Sequence, residues 1–116
     1  MDLLTASVRS RESSGTPYTL VVLAGELDAT NSKQLRNLLE AEMSAGARTL
    51  IVDLSELNFI DSSALQVLLR CNRILGGQGG GLRLVRPGGS VARMLHLTRA
   101  DQLVRVYDSL DQAAAG

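Results

Sequence analysis

The sequence predicts an α/β domain: a mixed, mostly parallel β-sheet of four to five strands packed against about four helices. Three observations carry that prediction. Short apolar, β-branched runs alternate with segments whose apolar residues recur every three or four positions. One run, TLIVDL at 49–54, is apolar almost without interruption, as a strand covered on both faces must be. The resulting order, ββαβαβαβα, joins strands through helices, and a helical crossover returns the chain to its original direction.

Each element has its own signal. LTASV at 4–8 has the length and β-branching of a short strand, and RESSGTP carries Gly15 and Pro17 as turn residues. The run from Leu20 to Ala24 is a second strand stopped by Gly25, so the two predict a hairpin. From Thr30 the period changes: Leu35, Leu38, Leu39 and Met43 mark a helix that Gly46 closes. After TLIVDL, SELNFI is a connection to a second helix at about Ser62–Leu75, and GGQGGG is a flexible turn into the strand LRLV at 82–85. PGGSVARMLHL predicts a third helix with Ser90 as N-cap. LVRVY at 103–107 predicts a last strand and DSLDQAAA a terminal helix. No repeat or linker divides the chain, so residues 1–116 read as a single domain.

Composition narrows the function. Hydrophobic residues make up 45% and charged residues 21%, the balance of a globular chain. Twelve basic residues against twelve acidic ones remove the electrostatic case for a nucleic acid or an anionic membrane as partner. A single cysteine, Cys71, permits no internal disulfide and suits a reducing compartment. Asp2 follows Met1 with no basic and apolar leader pattern, and no apolar run reaches the roughly 18 residues of a membrane span. The expected location is the cytoplasm.

The usual catalytic and metal constellations fail. His96, the only histidine, lies in the apolar stretch MLHL, so neither a histidine-rich metal site nor a Ser-His-Asp triad has support. GGQGGG lacks the spacing of a phosphate loop and sits before a strand, whereas such loops open a helix. GGSVA breaks the nucleophile-elbow pattern at Ala92, and Cys71 falls mid-helix among apolar residues as a small core side chain. These readings argue against an enzyme and call for no metal or cofactor.

The chemistry that remains is in NFIDSSALQVLLR at 58–70. At about 100° per residue, Ala64, Leu68, Cys71 and Leu75 fall on one line of the second helix, flanked by Leu65 and Leu69 on one side and Val67 and Ile74 on the other. That broad arc predicts a largely buried helix with Ser62, Ser63, Gln66, Arg70 and Arg73 on a narrow polar ridge. Asp61 or Ser62 would cap the helix, since either accepts from the unpaired N–H groups of its first turn. One cap suffices, yet three polar groups stand in a row.

FIDSSALQVLL resembles the signature loop of the STAS domain of bacterial anti-sigma-factor antagonists, and GELDATNSKQLRNLL resembles the Gly-Glu-Leu-Asp stretch and first helix of that family. With VDLS between them, the resemblance covers roughly residues 18 to 113 and implies a STAS-like fold. It also implies that Ser62 is a phosphoacceptor, with Asp28, Asp61 and Ser63 around it on the partner-binding surface, to which the polar ridge adds Gln66. The implied partner is an anti-sigma factor with a histidine-kinase-type ATPase fold, opposed by a phosphatase; ATP and Mg²⁺ would belong to the kinase and this chain would need no cofactor. The departure from the pattern is Ala64, where antagonists usually have Gly, which sets a methyl on the first turn beside Ser62. A second reading keeps the fold without phosphorylation, as a scaffold or an accessory module of a signalling or transport complex, with Ser62 a cap only.

Overall fold

Residues 4–116 are described by a computed structural model, and they follow the expected order of elements. Strands β1 (Leu4–Ser13) and β2 (Thr16–Leu27) are followed by α1 (Ser32–Ser44), β3 (Thr49–Ile60), α2 (Ser62–Gly76), β4 (Gly81–Val85), α3 (Gly89–Leu97), β5 (Arg105–Tyr107) and α4 (Leu110–Ala115). The five strands form one sheet in chain order, β1-β2-β3-β4-β5. The first pair is antiparallel and the other three are parallel. The predicted fold class is therefore the observed one.

Sequential order has a consequence for layering. Right-handed crossovers that all step the same way across a sheet leave their helices on the same face. The larger apolar cluster accordingly joins Leu35 and Leu39 of α1, Leu65 and Leu68 of α2, and Val91 and Leu95 of α3. The opposite face is covered by α4, where Ala113 meets Leu20, Ile51 and Val85. TLIVDL serves both layers, as its composition predicts: Leu50, Val52 and Leu54 belong to the larger cluster and Ile51 to the smaller.

Several boundaries move. The hairpin turn is Ser14–Gly15 alone, both residues left-handed at φ 51° and 84°. Such a two-residue turn matches the twist of its strands, so RESSGTP is mostly strand, with Ser13 paired to Thr16. SELNFI continues β3 and pairs with β2 through Ala24–Glu56 and Leu27–Ile60. The register between these strands shifts twice, once beside Gly25, whose φ of 103° only glycine adopts cheaply. LVRVY supplies only three strand residues, because Ala100–Gln102 form a 3-10 turn and Leu103 is exposed. Ser90 is not the cap of α3; that position is Gly88, and the Ser90 hydroxyl donates instead to the Asn58 carbonyl at 2.7 Å. Gly46 does close α1, at φ 105°, with Ala47 N–H reaching the Glu42 carbonyl in a Schellman turn.

GGQGGG is a turn, but not a slack one. Gly79 is left-handed at φ 84°, and the Gly80 N–H reaches back to the Leu75 carbonyl at 2.9 Å to end α2. Gly81 N–H then donates to the Arg48 carbonyl at 3.0 Å, which seats β4 beside β3. Asn72 of α2 secures the same corner, accepting from Leu82 N–H and donating to the Leu103 carbonyl, each at 3.0 Å.

One buried charge lies in the sheet. Asp53 is 7% exposed and accepts from Ser55 N–H at 2.9 Å and from the Arg86 guanidinium at 3.1 Å. Burial pushes its pKa up, but the Ser55 hydrogen bonds and Arg86 outweigh that and hold it below the ordinary value. A carboxyl more acidic in the folded state stabilises the fold above its unfolded pKa of about 4 and loses that contribution as pH falls through the folded value. Asp53→Asn is thus expected to lower the urea midpoint at pH 7 and to do so much less at pH 3. An equal deficit at both pH values would assign Asp53 a steric role.

Candidate functional site

The head of α2 is built where two strands end together. Asp61 N–H donates to the Leu27 carbonyl at 3.0 Å, so the last residues of β2 and β3 are tied and Asp28 and Asp61 leave the sheet side by side. Asp61 is extended, at φ −104° and ψ 178°, which turns its side chain onto the helix it precedes. Its Oδ1 accepts from Ala64 N–H at 3.1 Å and from the Ser63 hydroxyl at 2.7 Å. Asp61 is the cap. Ser62 is the first helical residue, exposed, and its hydroxyl makes no hydrogen bond to any described residue. The three adjacent polar groups therefore have three different states: a carboxylate that caps, a hydroxyl locked onto it and a hydroxyl left to solvent.

Asp28 stands at the same edge, half-buried, and its carboxylate accepts from both the N–H and the hydroxyl of Thr30. Gln66 and Arg70, one and two turns beyond Ser62, are exposed, as is Arg73. The polar ridge read from the helical period is present and begins at Ser62. The buried arc is narrower than its spacing implied. Ala64, Leu65, Leu68, Cys71 and Leu75 are buried, whereas Val67 and Leu69 are half-buried and Ile74 is 37% exposed. Ala64 is 0% exposed and part of the core. Its methyl is buried in the core and not exposed on the surface beside Ser62.

A residue that the sequence reading passed over organises the neighbouring loop. Asn31, 8% exposed, donates to the Glu26 carbonyl at 2.7 Å and accepts from Asp28 N–H at 2.9 Å. It precedes α1 yet does not cap it with its side chain. Its signal was an asparagine just ahead of a helix, which usually means a cap; here the amide bridges the end of β2 to the loop instead. Ser63 and Gln66 also line a groove between α1 and α2, which Asp28 does not reach. Cys71 sits on that groove's floor with its Sγ 3.7 Å from the Met43 sulfur, and burial pushes its thiol up to about 11. Among the described residues no group of three or more His, Cys, Asp or Glu side chains is placed to hold a metal ion. No described helix is long and apolar enough to cross a membrane.

A family model for the STAS domain matches residues 7–113, from within β1 to within α4. The chain belongs to the STAS domain family. Among curated STAS relatives, a candidate anti-sigma factor antagonist of Thermotoga maritima is 30% identical over 89 residues, covering 76% of this chain and 79% of that protein. The anti-sigma F factor antagonist of Paenibacillus polymyxa is 29% identical over 91 residues, 78% of each chain. A crystal structure of an anti-sigma factor antagonist from Mycobacterium paratuberculosis superposes with a TM-score of 0.81 at 26% identity, covering 96% of this chain and 92% of that one. This STAS domain thus presents the capping Asp61 and the exposed Ser62 on a scaffold shared with proteins of that name.

Proposed function

We propose that this STAS domain is an anti-sigma factor antagonist, docking through the surface around Ser62 and released when that serine is phosphorylated. The observation that carries this reading is the division of roles at 61–63. Asp61 already caps α2 and Ser63 is bonded to it, so Ser62 has no structural task and a free hydroxyl. The names of its curated relatives supply the class of partner.

Unphosphorylated, the domain docks on an anti-sigma factor with Asp28, Asp61, Ser62, Ser63 and Gln66 and so frees a sigma factor. The anti-sigma factor acts as the kinase, with the fold of a histidine-kinase-type ATPase. The Ser62 oxygen forms a bond to the γ-phosphorus of ATP as the bond to ADP breaks, and the hydroxyl proton is lost to the kinase or to water. ATP and Mg²⁺ sit in the kinase, this chain brings no cofactor, and a phosphatase reverses the step by hydrolysis. All of these partners belong in the cytoplasm. The phosphoryl group adds about −1.5 to −2 charges. At the positive end of α2 that charge is accommodated within the domain. Across an interface it meets Asp61 and Asp28 and must be desolvated, a cost of several kcal/mol. About 3 kcal/mol weakens binding roughly a hundredfold, enough to exchange partners without refolding.

The test is calorimetric titration of three variants into the cognate kinase with ADP, alongside phosphate incorporation from ATP. Ser62→Ala should fold normally, since Asp61 is the cap, bind constitutively and take no label. Ser62→Asp should also fold normally but bind weakly, because one carboxylate carries part of the phosphate charge to the same place. Ser63→Ala should still be labelled. Equal affinities for Ser62→Ala and Ser62→Asp, with labelling retained in Ser62→Ala, would refute the switch.

A further inference from the structure

We infer that the groove between α1 and α2 is a binding site for a small anionic amphiphile, a molecule with a short aliphatic chain and a single anionic head. The groove holds about 290 Å³. That is just under the lower end of small-molecule sites, which run from roughly 300 to 1,000 Å³. Its apolar lining is aliphatic and sulfur side chains, Leu39 and Met43 from α1 and Val67, Cys71 and Ile74 from α2, with Ser32, Ser63 and Gln66 as uncharged polar neighbours. The Cys71 thiol stays protonated and neutral at physiological pH. Ile74 is 37% exposed, so this wall is wet unless something covers it. No aromatic side chain lines the groove, which leaves a nucleobase without a stacking surface and favours an alkyl chain.

The rim decides the sign of the head group. Lys33 and Arg36 come from α1 and Arg70 from α2, against the single acid Glu40. In a chain whose twelve basic and twelve acidic residues cancel, this is a local excess of positive charge. Among the described residues none of the three cations is in an ion pair; the pairs there are Arg86–Asp53 and His96–Asp101. Glu40, one turn beyond Arg36, does not pair with it. Cations held over an apolar floor match a carboxylate or phosphate head over an alkyl tail. The groove shares Ser63 and Gln66 with the proposed docking surface, but the inference does not rest on phosphorylation of Ser62.

The probe is decanoate, titrated as monomer into the whole chain by calorimetry, with the Met43 methyl followed by NMR. Saturable one-to-one binding that moves the Met43 signal is expected, about tenfold or more tighter than acetate, which lacks the tail, and decyltrimethylammonium, which reverses the head. Arg36→Glu with Arg70→Glu should lose at least about tenfold in affinity at an unchanged thermal midpoint. If that pair perturbs the fold, Arg36→Gln with Arg70→Gln makes the same comparison. Absence of saturable binding, no preference for decanoate, affinity unmoved in the folded charge variant, or binding only to phosphatidylglycerol vesicles would each overturn the inference.

Discussion

Gly80→Ala is expected to destabilise the domain by about 3 kcal/mol, the upper range for forcing atoms into filled space. A Cβ built at Gly80 overlaps the Arg48 carbonyl oxygen and lies 2.6 Å from the carbon that bears it. The obstacle is backbone, so no rotamer change relieves it. Retreat would stretch the bond from Gly81 N–H to that same Arg48 carbonyl and unseat the pairing of Thr49 with Gly81 that starts the β3–β4 ladder. The control is Gly76→Ala, in the last turn of α2, where an added Cβ meets nothing within 4 Å. Alanine there should be neutral or stabilising by up to about 1 kcal/mol, through helix propensity. Equilibrium urea unfolding of the two variants separates a packed corner from a flexible turn. Equal midpoints would show that the turn yields.

Leu68→Ala should cost about 2 to 5 kcal/mol by leaving a cavity beneath α2. Leu68 is 0% exposed in the larger cluster, on the line of Ala64, Cys71 and Leu75 that turns toward the sheet. The helix packs there against β4, β3 and α1, which limits collapse around the lost atoms. Gln66→Ala, on the exposed ridge of the same helix, is the matched control and should stay within about 0.5 kcal/mol of wild type. A Leu68→Ala midpoint equal to that control would mean that α2 presents a different face to the core.

The two variants also mark what a sequence can and cannot disclose. Leu68 was legible because burial imposes a period, and the same holds for TLIVDL, whose two buried faces demand continuous apolar residues. Residues 9–13 and 55–60 were not legible as strand. RSRES and, apart from the buried Leu57, SELN are polar and mostly exposed, held by ladder pairing to β2, and pairing has no compositional signature. Gly80 is the same kind of miss: glycine signals freedom in a sequence, and the need for it here arises from a carbonyl 32 positions earlier. At the candidate site, DSS in front of a helical period exposed the cluster, while the assignment of the cap to Asp61 required its extended backbone. Asn31 and the Asp53–Arg86 pair stayed hidden because their partners meet only after folding.

The two faces of the sheet differ in when they can be closed. Every helix on the larger face lies between the strands it crosses, so that layer assembles from neighbours as the chain lengthens. The smaller face waits for α4, which reaches back across β5 and β4 to β3 and even to β1, about a hundred residues upstream. Contacts of such long range carry the greatest loop-closure entropy and form late. Until residues 110–115 have emerged and docked, Leu20, Ile51 and Val85 remain in water. A chain halted before Leu110 would have its Ser62 surface in place over a half-covered sheet, a form with the docking face of the native domain and the adhesive underside of an unfinished one.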